Sequence, residues 1–452
     1  MQADSRKHLF ETMPIPQAVA QMALPAIFSQ IIILIYNMAD TFFLGQVNNP
    51  YMVAGASLIL PVFNISASLS GLCGVGGGAL ISRLLGECRE DEARKASSFS
   101  LLLAAGSALL FSLLMLLSMN PLLGLLGASE NTLHYARQYA LCVIVLGSVP
   151  TVLSNVMANL LRSTGESRRA GFGIAMGGCI NILLDPLFMF VLLPAGYEVL
   201  GVGIATLLSN CIACAYFLGT IFKNRKNSVI RFGLSMPQSK SIRSVFTVGI
   251  PSAVATLLFD IDYIVLDKLM AGYGDIALAS SGIVLKAERL PLNVGIGLCQ
   301  GMMPLVAYNY AGGSRRRMSD TIRFSLRAGL IVGALSIIMY ELFAPGIMGL
   351  FIRDAQTVRL GSDFLRIRCL ATPLMFSSFF TVYVFQGFGR GRVSLFLGVM
   401  RWCAFNIPML FVLDRLLGMY GLVWSQLLAD ILTVTLSFFV YRHHTKTLFS
   451  GS

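Results

Sequence analysis

Residues 18–43 read AVAQMALPAIFSQIIILIYNMADTFF. A helix of roughly 20 mostly apolar residues crosses the hydrocarbon core of a bilayer, and this run is long enough to do so. Its one charged side chain is Asp40, near the far end, and its one helix breaker is Pro25. Runs of the same kind recur along the chain. Hydrophobic residues make up 56% of the 452 positions and charged residues 12%, with a mean hydropathy of +0.73. Soluble domains carry about twice that charge. The chain therefore reads as an integral membrane protein, all-α and polytopic. A membrane β-barrel would show alternating segments of about ten residues instead.

About twelve spans follow from the hydropathy pattern, near 18–43, 53–80, 97–119, 134–160, 169–193, 199–222, 245–270, 277–307, 320–345, 363–387, 394–414 and 419–441. The opening MQADSRKHLFETMPIPQ lacks the basic, apolar and small-residue order of a cleavable signal. The longest polar connection, 223–244, is too short to bury a core. Basic residues sit in alternate loops. They are Arg83, Arg89, Arg94 and Lys95; Arg162, Arg168 and Arg169; Lys223, Arg225, Lys226, Arg231, Lys240 and Arg243; Arg315, Arg316 and Arg317; and Arg390 and Arg392. The loops QVNNPYM, NPLLGLLGASENT and PAGYEV hold no lysine or arginine. The positive-inside rule then places both termini in the cytoplasm of a cell-membrane protein. The net charge of +12 is topological and does not point to nucleic acid.

The chain repeats itself. MALPAIFSQ…ADTFFLGQ resembles VGIPSAVAT…LDKLMAGYG, and ALISRLLGECREDEARKASSFSLLLAAG is echoed by PLVAYNYAGGSRRRMSDTIRFSLRAG. One offset, constant to within two residues, relates Pro25 to Pro251, Gly86 to Gly312, Gly165 to Gly389 and Asn181 to Asn406. Two homologous six-span lobes are expected, 1–222 and 245–452, joined by a cytoplasmic linker at 223–244. An even number of spans per half makes both halves enter the membrane in one direction, the parallel-repeat case among transporters.

A second stretch, NILLDPLFMF at 181–190, carries Asp185 with Asn181 one turn before it and Pro186 after it. An acid in hydrocarbon is costly and should face the bundle interior or water. Asn181 shares its helical face. Pro186 removes the hydrogen bond to the carbonyl of Ile182, so a kink is expected there. Asp40 in span one lies at a comparable depth, with Tyr36 on its face, and Thr206 in span six reaches a similar level. Asn155 and Asn159 in span four are further candidates, nearer the cytoplasm. Two close carboxylates in low dielectric do not both stay ionised without a cation. That makes a proton- or sodium-exchangeable site; the competing reading is two structural acids, each hydrogen-bonded at a helix contact.

The second half has its own acids. FDIDYIVLDK holds Asp260, Asp262 and Asp267, and the next span holds Lys286, Glu288 and Arg289. Lys286 is expected to pair with Glu288 or an aspartate, while Asp260, Asp262 and Glu288 are candidates for a second cation or substrate site. Cys211 and Cys214 have CxxC spacing, but with no second pair or histidine nearby they read as packing residues. GVGGG at 74–78 lacks the Gly-Lys-Ser/Thr of a phosphate loop and reads as close helix packing. The methionines and phenylalanines read mostly as lipid-facing or core, although in a cleft they would suit varied apolar ligands.

Together, the two six-span halves, LP in span one, YNMADTFFLG, RSTG after span four and NILLDP in span five resemble the multidrug and toxic compound extrusion (MATE) transporters, nearest to their DinF-like and MepA-like bacterial branch. The resemblance covers nearly the whole chain. It implies a V-shaped pair of bundles exporting organic cations and other amphipathic drugs against H⁺ or Na⁺. It implies a first-lobe cation site at Asp40, Asn181, Asp185 and Thr206, supported by Tyr36, Asn155 and Asn159, with Pro25 bending span one. Another branch of the family places its acid near Asp260, which leaves open the lobe that couples transport. No cofactor, resident metal or nucleic acid is expected; the partners are small amphipathic or cationic substrates and the lipid bilayer, with the chain a monomer. A lipid-linked precursor flippase or a metabolite exporter is the alternative. An intramembrane enzyme is disfavoured by the lack of a His-rich motif or nucleophile–base pair, and a passive channel by the repeat with clustered polar groups.

Overall fold

The computed structural model describes residues 3–47, 49–225 and 228–449; Lys226 of the basic linker lies outside them. The described residues are mostly helical, with no strand among them. In lipid every backbone group must be satisfied within the chain, and a helix does this segment by segment. A short N-terminal helix, Ala3–Lys7, runs through a π turn at His8–Thr12 into the first span.

Among the described residues ten helices are long and apolar enough to cross a membrane. In the first half they are α1 (Ile15–Gln46), α2 (Pro50–Gly86), α3 (Glu90–Leu125), α5 (Ser167–Leu192) and α6 (Glu198–Lys223). In the second half they are α7 (Ser239–Ala271), α8 (Asp275–Ala311), α9 (Arg315–Phe351), α11 (Gly391–Leu417) and α12 (Met419–Thr445). Two bent pairs complete the set. They are α4 (Glu130–Leu146 with Ser148–Ser163, bent by 47°) and α10 (Ala355–Cys369 with Thr372–Gly387, bent by 48°), and counting each as one span gives twelve. The bends fall at equivalent places in the two halves. So do the turns that follow, where Gly165 and Gly389 take φ of 90° and 73°, a left-handed conformation that suits glycine.

Side chains at the helix starts supply the missing acceptors. Asn49 accepts from Tyr51 N at 3.0 Å to open α2, Ser129 and Thr132 form a capping box before α4, and Asp354 accepts from Thr357 N at 2.8 Å to open α10. Exposed leucines such as Leu109, Leu113 and Leu117 give α3 an apolar outer face for lipid. Pro186 does not break α5: the α-helix runs through it to Leu187 and continues as a π turn over Phe188–Leu192, in one span. The missing donor of Pro186 falls beside this switch in hydrogen-bond register.

The halves meet along α1 against α8 and α2 against α7 and α8. Glycines set the spacing. A Cβ on Gly301 would meet Ala23 at 2.5 Å, one on Gly297 would meet Ile27 at 2.6 Å, and Gly249 and Gly86 press on the backbones of Leu72 and Tyr308. Polar ties close the side that carries the basic loops. Arg83 Nη2 donates to Ser244 Oγ at 2.8 Å, and Glu92 Oε1 accepts from Gln238 N at 2.7 Å and Ser241 Oγ at 2.9 Å. The described part of the linker is strapped to α3, with Val229 and Ile230 buried and Ser97 accepting from Arg231 N at 3.2 Å.

Candidate functional site

Span α5 packs on α1 through glycines. A Cβ on Gly171 would meet Pro25 O at 2.5 Å, and one on Gly178 would meet Ile32 Cγ2 at 2.6 Å and Tyr36 Cδ1 at 3.1 Å. Residues 171, 178, 181 and 185 recur at helical spacing, so the face that touches α1 also carries Asn181 and Asp185. The register rises in parallel along both helices and brings Asp185 opposite Asp40.

The two carboxyl groups lie within hydrogen-bond reach of each other. Asn181 Nδ2 donates to Asp185 Oδ1 at 3.3 Å and reaches Thr206 Oγ1 at 3.5 Å. Asp185 is fully buried, Asn181 and Thr206 are buried, and Asp40 is half-buried. Three buried oxygens, Asp40 Oδ1, Asp185 Oδ2 and Asn181 Oδ1, have no donor among the described residues. Carboxylate oxygens facing one another need a shared proton or a cation between them. An Asp–Asp–Asn–Thr oxygen set fits either: oxygen is the donor type a hard monovalent cation takes, and a carboxyl pair can hold one proton.

Tyr36 lies on the same face of α1 as Asp40 and within its electrostatic reach. Sequence reading missed Tyr139, whose ring stands within electrostatic reach of Asp40, Asp185 and Tyr36. Tyr139 packs beside Gly203, one turn before Thr206: a Cβ on that glycine would meet its ring at 3.5 Å. In ENTLHYARQYA at 130–140, where Tyr135 and several polar residues surround it, nothing local set Tyr139 apart.

Asn155 and Asn159 bond within their own helix. Their amides return to the carbonyls of Thr151 and Asn155, at 2.9 and 3.0 Å, and Asn159 accepts from Arg162 Nη1 at 3.4 Å. No hydrogen bond among the described residues joins them to the acid pair.

In the second half Asp262 accepts from Asn406 Nδ2 at 2.6 Å. Glu288 forms a two-pronged pair with Arg368 at 2.8 and 3.0 Å, and Arg401 pairs with Asp430 at 3.0 Å. Gln426 bridges the two pairs, accepting from Arg368 at 3.4 Å and donating to Asp430 at 3.1 Å. The partner of Glu288 is thus Arg368, not the neighbouring Lys286: Glu288 points inward while Lys286, two residues away, is exposed. Asp260 stands apart from this network. It reaches Asn64 of α2 across the seam between the halves, with Arg289 in electrostatic range. Its Oδ2 is buried without a partner among the described residues.

A bundle of helices repeated in two halves, with an acid pair buried between its spans, defines a polytopic membrane transporter. The chain belongs to the MatE family, whose profile matches residues 25–187 and 251–412, once in each half. It is 30% identical over 439 residues to the multidrug export protein MepA of Staphylococcus haemolyticus (strain JCSC1435), covering 97% of this chain and 95% of that protein. It is 29% identical to MepA of Staphylococcus aureus (strain MSSA476), covering 95% and 94%. Among solved structures, the outward-facing conformation of a multidrug resistance MATE family transporter of the MOP superfamily matches with a TM-score of 0.94, 22% identity and full coverage of both chains.

Proposed function

We propose that this chain is a secondary multidrug exporter that moves amphipathic or cationic small molecules outward in exchange for H⁺ or Na⁺. The oxygen-rich cluster of Asp40, Asp185 and Asn181, extended by Thr206, carries the reading. Such a cluster changes its charge when a proton or cation enters, and two packed halves are what that change would drive apart. The MepA relatives support export of drugs. Residues 1–222 and 245–452 form the two lobes in this reading, with 223–244 as a cytoplasmic linker and both termini cytoplasmic. The protein works as a monomer in the cell membrane, Pro25 and Pro186 are its hinge positions, and it uses no cofactor.

Within this reading Asp260, at the seam beside Asn64, belongs to the drug path, and Asp262 and Glu288 hold the second lobe's structure. Purified protein in liposomes, given proton and sodium gradients separately, tests the assignment. Drug movement driven by one of the two gradients is the expected result. Movement only down the drug's own gradient would make the protein a passive pathway.

A further inference from the structure

Four arginines are buried among the described residues, Arg6, Arg162, Arg368 and Arg401. Three hold a carboxylate: Arg6 pairs with Glu90, Arg368 with Glu288 and Arg401 with Asp430. Arg162 has none among the described residues. Its Nη1 and Nη2 make long contacts to neutral oxygens, Asn159 Oδ1 at 3.4 Å and Ser29 Oγ at 3.2 Å, and its Nε is buried with no partner. It sits in the last turn of Ser148–Ser163, where the helix end offers about half a negative charge. That leaves much of a full charge uncompensated in a low-dielectric interior, a costly arrangement. At the equivalent position of the second half, by the offset linking Gly165 to Gly389, stands neutral Gln386.

The surroundings of Arg162 span the seam. Ser29 comes from α1, Asn159 from α4, and Tyr383, on α10 of the other half, is the ionisable group in its electrostatic reach. Gln300 of α8 lies within hydrogen-bond reach of Tyr383 and has a buried, unpartnered amide oxygen. The cluster therefore offers a guanidinium, two hydroxyls and two amides, with no acid. It is opposite in polarity to the acceptor-only pair at Asp40 and Asp185. Loading from the basic side requires the halves to part at this seam, the place where Arg162 of the first half faces Tyr383 of the second.

We propose that Arg162 is the anchor for a carboxylate on the transported molecule, so that zwitterionic amphiphiles are selected over plain cations of the same shape. This rests on the exporter reading above and names its substrate class. A guanidinium meets a carboxylate through two parallel N–H···O bonds, the geometry that gives both strength and orientation.

A matched pair of dyes tests it: a rhodamine as its free acid, zwitterionic at neutral pH, and as its methyl ester, a plain cation. Equilibrium binding of each to the purified full-length protein, without any ion gradient, gives two separable readouts. Ester binding reports the exporter reading alone, and the acid-to-ester affinity ratio reports Arg162. The wild type is expected to favour the acid by about tenfold or more, the scale of a charge-assisted hydrogen bond. Arg162→Gln should bring the ratio near one with ester binding kept. Arg162→Lys, which keeps the charge but loses the fork, should give an intermediate ratio and stands in if the glutamine variant does not fold. An acid-to-ester ratio unchanged in either variant would overturn the proposal. So would a wild type that favours the ester.

Discussion

The two halves descend from one pattern and have spent it differently. Asn181 in the first half and Asn406 in the second occupy equivalent positions, and both donate to an aspartate, Asp185 at 3.3 Å and Asp262 at 2.6 Å. What surrounds them differs. The offset that carries Pro25 to Pro251 carries Asp40 to Leu266, and the one that carries Asn181 to Asn406 carries Asp185 to Leu410. Both leucines are buried in one apolar cluster of the second half. Where the first half has two facing carboxyl groups, the second has two packed hydrocarbons. The second half places its charges instead in guanidinium–carboxylate pairs, Glu288 with Arg368 and Asp430 with Arg401, and Arg401 also lies over the rings of Phe379 and Trp402 at 4.4 and 4.3 Å. A paired network of that kind is costly to open and suits a fixed scaffold. An acid pair with no cationic side chain bound to it among the described residues suits a site whose charge changes.

The sharpest way to break this comparison is to neutralise the acid pair. Asp40→Asn and Asp185→Asn should each reduce gradient-driven efflux to the level of protein-free liposomes, with insertion into the membrane retained. The double variant should be no worse than either single one, because one change already disables the shared site. Additive partial losses, read as initial rates, would separate the two acids.

A second-half prediction comes next. Glu288→Gln leaves Arg368 buried without its carboxylate, a loss of about 3–5 kcal/mol for one partner of a buried pair. The unfolding midpoint in detergent should fall markedly, and Glu288→Leu with Arg368→Met should recover most of it. An ion requirement that changed in the double variant, with stability restored, would give the network a coupling role.

Asp260→Asn should have a smaller effect, a severalfold change in the affinity or range of drugs with the dependence on pH and sodium kept. Drug competition curves at several pH values would show it. The smallest effect expected is that of Pro25→Ala, which restores a backbone donor in α1 opposite Gly171. Slower turnover with unchanged drug binding is the expected result; unchanged turnover would leave Pro25 a packing residue.

Much of this was legible in the sequence because lipid imposes simple rules. The apolar runs mark the spans, and the offset from Pro25 to Pro251 gave the repeat that the two family matches reproduce. Asp40 and Asp185 stood out because an acid is rare in such runs, and their equal depth follows from helical rise and direction. Contacts between distant segments were not legible. Arg368 is 80 residues from Glu288, and local spacing pointed to Lys286 instead. Tyr139 lies on the first arm of the bent span α4, whose 47° break falls at Gly147, and it meets the acid pair from a segment distant in sequence. Asn155 and Asn159 each return the amide to their own helix, a local bond that polarity in the sequence does not reveal. Arg162 read as part of a basic loop and lies buried at the seam.

The central claim is that the first half binds the coupling ion and the second does not. Counterflow tests it most directly: a drug gradient is imposed across liposomes with no ion gradient, and movement of H⁺ or Na⁺ against the drug is recorded. The wild type and Asp260→Asn should both drive the ion, and Asp185→Asn should not. Ion movement that persisted in Asp185→Asn and vanished in Asp260→Asn would place the coupling site in the second half.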